Sequence, residues 1–216
     1  MNLTLSNFSI VVLAQAHNPS ILNPDFLKNN DIVSTDFKTK NVICTPPVAQ
    51  VVYEEGISIV AEFERLQFID TILERIPEST PIPGIAARYI ETLPHVRYTA
   101  CGINFAGHFL FKDKDSARSF ISEKFIKPGP WLLQNEATDI GVTFTYSIGN
   151  TKRAVSLKPG EIQGPDGVMF PGILVNANYH LDITEGDLES MKSFIFGWCT
   201  CFDHLKQFIE AIFSER

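Results

Sequence analysis

The sequence predicts an α+β domain: a mainly antiparallel sheet of about six to eight strands, with a long C-terminal helix and two or three shorter helices on one face, in two layers. Three observations predict it. Segments such as DIGVTFTYSIG (139–149) and GILVNANYHLDI (172–183) alternate apolar and polar residues without error, the pattern of antiparallel strands with one covered and one wet face. Prolines fall between the periodic segments, at Pro19, Pro24, Pro46-Pro47, Pro81, Pro83, Pro128 and Pro130, as turn punctuation. From Thr184 onward, apolar residues recur at spacings of three and four to the end of the chain, the period of an amphipathic helix.

The elements follow in order. FSIVVLAQ (8–15) is apolar on both faces, as an inner strand covered on each side would be. NPDFLKNN has Asn23 as N-cap and Pro24 at the first helical position, where a missing N–H costs nothing, and makes a short helix. VAQVVYEEGISIVAEF (48–63) is a hairpin turned at Glu55-Gly56, where glycine supplies a positive φ. RLQFID continues as strand and gives way to a short helix. IPGIAARYIETL puts Ile85, Tyr89, Ile90 and Leu93 on one side of a helix.

RYTACGINFAGHFLF (97–111) is a long strand in which Gly102 and Gly107 suggest a bend or bulge. DSARSFISEKFI begins at a capping Asp115 or Ser116 and buries Phe120, Ile121 and Phe125. In 139–149 the inward residues are Ile140, Val142, Phe144, Tyr146 and Ile148, and GNTK turns the chain into RAVSL as its partner. KPGEIQGPDGVMFPG (158–172) reads as a long glycine-rich connection without a phosphate-binding motif. In 172–183 Ile173, Val175, Ala177, Tyr179, Leu181 and Ile183 face inward. Thr184 and Asp187 form a capping-box-like start to one unbroken helix, whose stripe is Leu188, Met191, Ile195, Trp198, Phe202, Leu205, Ile209 and Ile212.

The 216 residues suit a single domain, 1–216, with one core. No linker divides the chain, and no internal repeat is visible in it. With 18 Lys and Arg against 25 Asp and Glu, the net charge is −7 and the pI about 5.2. A surface that neutralises phosphates is basic, so neither nucleic acid nor an acidic membrane is expected as partner. No apolar run reaches the roughly 18 residues that span a bilayer. Four cysteines make no disulfide framework in a chain of this size; Cys44 and Cys101 stand alone in apparent strands and read as small buried thiols. Ala14-Gln15-Ala16 resembles a signal-cleavage site, yet no Lys or Arg precedes it and the apolar core before it is short. A cytoplasmic location is expected.

CTCFDH (199–204) crowds two thiols, a carboxylate and an imidazole together. On a helix, at about 100° per residue, Cys199 and Cys201 lie about 200° apart. They are too divergent to clasp one ion or form a disulfide. Cys201 falls beside the apolar stripe, Cys199 at its edge, and His204 with Ser190 and Gly197 on the exposed side. The stretch reads as packing, and neither metal nor cofactor is expected.

The stronger candidate lies on strands. The period of two points Asn178, His180 and Asp182 the same way, the outer two about 13 Å apart. Asn104 and His108 share one face of 97–111. Were the two strands neighbours, Asn104, His108, Asn178, His180 and Asp182 would form a patch for a polar ligand or a divalent metal, or hold a general base oriented by Asp182. The plain alternative is a solvated sheet face. A nucleophilic Cys101 acting with His95 or His108 is the weaker option, and no G-x-S-x-G elbow is present.

Two functions are therefore expected. The first is a non-catalytic protein-binding or assembly module: the last helix is apolar over a wide side, with Phe194, Cys201, Phe208 and Phe213 beside its stripe, and any width left over after a sheet covers one face could seat a second chain. It would bind a protein partner or a second copy. The second is a small enzyme or polar-ligand or metal-binding domain built on the strand patch.

Overall fold

The computed structural model describes residues 3–127, 129–130, 140–184 and 186–214. The turn expected at Pro128 and the first residue of segment 139–149 lie outside the described residues. In chain order the elements are β1 (Thr4–Ala14), α1 (Pro24–Asn29), β2 (Thr39–Cys44), β3 (Val48–Tyr53), β4 (Ile57–Glu62), β5 (Arg65–Asp70), α2 (Ile82–Thr92), β6 (Tyr98–Leu110), α3 (Lys114–Phe125), β7 (Val142–Ile148), β8 (Thr151–Gln163), β9 (Met169–Asp182), α4 (Leu188–Phe196) and α5 (Trp198–Phe213). The fold is α+β with one large antiparallel sheet, in the order β2-β3-β4-β5-β1-β6-β9-β8-β7. Among the described residues there are nine strands rather than six to eight. The one least visible in the sequence is β2, exposed at every position and so without alternation.

Although no repeat shows in the sequence, the element order recurs. A strand (β1, β6) leads to a helix (α1, α3), then to an antiparallel meander whose last strand (β5, β9) returns to pair with the first, then to further helix. The two first strands pair with each other, antiparallel, from Thr4↔His108 to Ala14↔Tyr98. Two similar halves thus meet at the β1–β6 seam about an approximate twofold axis.

One sheet face carries the core. Phe8, Ile10 and Val12 of β1 point to the same side as Ile103, Phe105 and Phe109 of β6, and all are buried. The helices lay aromatic rings on them: Phe8 on Trp198 (4.9 Å), Phe105 on Phe202 (5.3 Å), Phe109 on Phe213 (4.3 Å) and Phe68 on Tyr89 (5.7 Å). Where β5 leads towards α2, the buried Asp70 carboxylate accepts from Arg75 Nε and Nη2 (both 2.7 Å), Thr80 Oγ1 (2.6 Å) and the Ile72 amide (3.0 Å). This closes all its hydrogen-bond valences in a site where an unpaired charge would be costly.

Several local expectations are corrected. The closing helix is not unbroken. α4 ends at Gly197, whose amide donates to the Ser193 and Phe194 carbonyls, and α5 starts at once with Trp198. Both helices bury the same apolar stripe, so its spacing passes through the break undisturbed. Asp187 caps α4 by itself, accepting from the Ser190 amide at 3.0 Å. Asp113, two residues earlier than expected, caps α3 through the Ser116 amide at 2.7 Å. The β3–β4 link is 54–56, with Gly56 at φ 77°.

Segment 158–172 is not a loop. β8 and β9 run on as a hairpin to Gln163↔Met169. Pro159 fits because the β7 ladder stops at Leu157, leaving that stretch of β8 as an edge where a missing N–H does no harm. Cys44 is exposed on the edge strand β2, whereas Cys101 is fully buried. Gly107 does mark a bulge, on the partner strand between Leu5 and Asn7; a Cβ there would sit 2.7 Å from the Thr4 carbonyl oxygen.

Candidate functional site

The strand patch lies on the sheet face opposite the core, and β6 and β9 are indeed neighbours. Asn104 stands directly across from Asn178, Gly102 from His180 and Ala100 from Asp182. Residues paired across an antiparallel ladder point the same way, so Asn104, Asn178, His180 and Asp182 come together. Asn178 Nδ2 donates to Asn104 Oδ1 at 2.6 Å. His180 Nε2 bonds Asp182 Oδ1 at 2.9 Å, and Lys152 Nζ of β8 bonds Asp182 Oδ2 at 3.2 Å. These two donors, His180 first, hold the Asp182 carboxyl below its ordinary pKa. A carboxylate only accepts, so the His180 proton facing it sits on Nε2 and leaves Nδ1 as the unused ring nitrogen.

His108 does not join them. It pairs with Leu174 and Thr4, six residues along β6 from Gly102, or about 20 Å. Partial burial lowers its pKa.

A groove of about 530 Å³ runs over this face, open to solvent, across β1, β6, β9 and β8. Its polar lining is Asn7 and Ser9 from β1, Asn104 from β6, Asn176, Asn178 and His180 from β9, Ser156 from β8, Thr143 from β7 and Arg65 from β5; Val11, Leu13, Ala106 and Ala154 supply apolar contact. Asp182 and His108 are not in its wall. Asn7 and Ser9 were missed because β1 reads as apolar on both faces. They alternate with Phe8 and Ile10, which was the available signal. Ser9 is 2% exposed, hidden in the floor of the groove between neighbouring strands.

The CTCFDH stretch lies on the other side of the sheet, on α5. Cys199 is exposed and Cys201 half-buried, and burial pushes the Cys201 thiol up to about 11. His204 does not face the solvent side. Its Nδ1 bonds the Tyr179 hydroxyl at 2.9 Å, and its ring stands edge-on to Tyr146 and Tyr179. Cys201, His204 and Phe208 form a half-buried flank beside the stripe, continuing the line of Phe194 and Gly197 across the break. Burial, then the nearby Arg153 charge, lowers the His204 pKa. Burial drives Cys101 up to about 12, which leaves it no thiolate near neutral pH. Among the described residues, no group of three or more His, Cys, Asp or Glu is placed to hold a metal ion, and no helix is long and apolar enough to cross a membrane.

No family model matches this chain, and no curated protein matches its sequence.

Proposed function

We propose that the protein is a binding module whose uncovered sheet face holds a polar ligand, with Asn104, Asn178 and His180 as central contacts and Asp182 orienting the imidazole. The observation that carries this reading is the groove itself. Amide, hydroxyl and imidazole groups from neighbouring strands converge on one cleft within the volume range of small-molecule sites. Rigid strands hold those groups in register, which favours selective hydrogen bonding. The test is an NMR screen of the ¹⁵N-labelled protein against small carboxylic acids, oligosaccharides and short peptides. Binders should move the resonances of Ser9, Gly102, Asn104, Asn178 and His180. Hits that map only to the helices would overturn the reading.

A second reading, a protein-binding or assembly module, keeps one specific support. The apolar stripe of α4 and α5 is buried from Met191 to Ile212, while Phe196, which lies off the stripe, is 58% exposed. The β8–β9 tip, however, presents Val168, Met169 and Phe170, each 41–49% exposed. Light scattering of parent protein and Phe170→Ser tests the self-assembly version: a strict monomer at high concentration removes it.

A further inference from the structure

We infer that the empty space over Gly102 is the anchoring subsite of the groove, and that it takes a carboxylate group of the ligand. This rests on the groove reading above and narrows it to a ligand chemistry.

Gly102 is the residue of β6 directly opposite His180, and it lines the groove without a side chain of its own. A Cβ built on it would lie 3.6 Å from Asn178 Nδ2 and 3.7 Å from Asn104 Nδ2, with the Tyr179 backbone oxygen next at 3.8 Å. Two amide nitrogens therefore converge on one vacated position. An oxygen displaced from that point towards the two amides comes within the roughly 2.9 Å of an N–H···O bond from both. The Asn178–Asn104 bond uses one N–H of Asn178 and the Oδ1 of Asn104. The second N–H of Asn178 and both N–H groups of Asn104 are left for a ligand, since each primary amide carries two donors. Two amide nitrogens are the nearest groups to the vacated position, and they favour an accepting oxygen there.

Charge selects an anionic one. The chain carries −7, yet the wall of the groove contains the Arg65 cation and no Asp or Glu. The carboxylate at its rim, Asp182, is engaged by His180 and Lys152. A carboxylate would find amide donors beneath it and the Arg65 guanidinium in the same groove wall. The ligand is either a free small acid or the carboxyl end of a peptide, which share this chemistry.

The test uses ¹⁵N-labelled full-length protein titrated with acetate, acetamide, N-acetyl-dialanine and its C-terminal amide, following the Asn104 and Asn178 side-chain NH₂ signals and the Gly102 amide. Both carboxylates should shift these signals saturably, and their neutral counterparts should not. Binding of N-acetyl-dialanine about tenfold tighter than acetate assigns the site to a peptide end, and similar affinities assign it to a small acid. Gly102→Ala should weaken the carboxylates about tenfold or more while leaving the rest of the spectrum in place, because its Cβ meets only ordinary van der Waals contacts. Asn104→Asp checks the same point without filling space. It keeps the acceptor that Asn178 uses and replaces the free NH₂ with negative charge, so carboxylate binding should vanish. Equal response to acid and amide, no response of these signals to either carboxylate, or unchanged binding in both variants overturns the proposal. If neither carboxylate moves these signals in the parent protein while other ligands still shift Ser9, Asn176 or His180, the subsite alone has failed and the groove reading stands.

Discussion

The two faces of the central strands are built from the same stretches of chain and do opposite work. Along β9, Val175, Ala177 and Tyr179 lie within 2% of full burial, while Asn176 and Asn178 between them open to solvent. The covered side is aromatic: Phe105 stacks on Phe8 at 5.0 Å and meets Tyr179 edge-on at 6.1 Å. The open side is amide, hydroxyl and imidazole. A change of one position in sequence therefore moves a side chain from the part of the molecule that sets stability to the part that meets a ligand.

That division can be broken by measurement, starting where the effect should be greatest. Phe105→Ala removes the ring at the centre of the covered face and should cost about 3–5 kcal/mol in denaturant unfolding. A loss below about 1 kcal/mol would mean that the core does not depend on this seam. Tyr179→Phe deletes the hydroxyl bonded to His204 and should cost about 1 kcal/mol, again by unfolding.

Acidification follows. Burial lowers the pKa of His17, His108 and His204 in the folded protein, with Arg153 adding to the effect at His204. The unfolded chain then binds more protons below the ordinary value near 6.5, so stability is full above that pH and falls as pH drops through the lowered folded values. Melting curves at pH 7.5 and pH 5 should show the fall, and His204→Gln should reduce it. Least of all, Asn104→Ala on the open face should change stability by no more than about 0.5 kcal/mol while abolishing whatever the groove binds. A cost approaching that of Phe105→Ala would show that the open face is structural after all.

What the sequence made legible follows from which period each feature obeys. Alternation along 172–183 is local, so the inward and outward residues of β9 could be read directly. Parity also put His108 on the same face as Asn104. Distance along the ladder depends on register, however, and one strand's sequence does not contain it; His108 and His180 consequently lie far apart. The joint at Gly197 was invisible for a related reason. α5 resumes without a gap, so the apolar spacing continues across it, and His204 sits on the half-buried flank with Cys201 and Phe208, held by a Tyr179 hydroxyl that only the tertiary packing supplies. The β8–β9 extension escaped because Pro159, Gly160 and Gly164 look like punctuation, whereas the strand's neighbour β9 decides its conformation. Ser9 and Asn7 were hidden by the apolar residues around them, Val11 and Leu13, which also face the groove.

The β1–β6 seam has a consequence for how the chain is made. β1 is synthesised first yet sits mid-sheet, and its partner on one side does not exist until residues 98–110 emerge. Through that interval the β1 backbone offers an unpaired edge flanked by Phe8, Ile10 and Val12, the kind of edge on which nascent chains stick to one another. The first half can close its own meander through β5, but only translation of the second half removes that hazard.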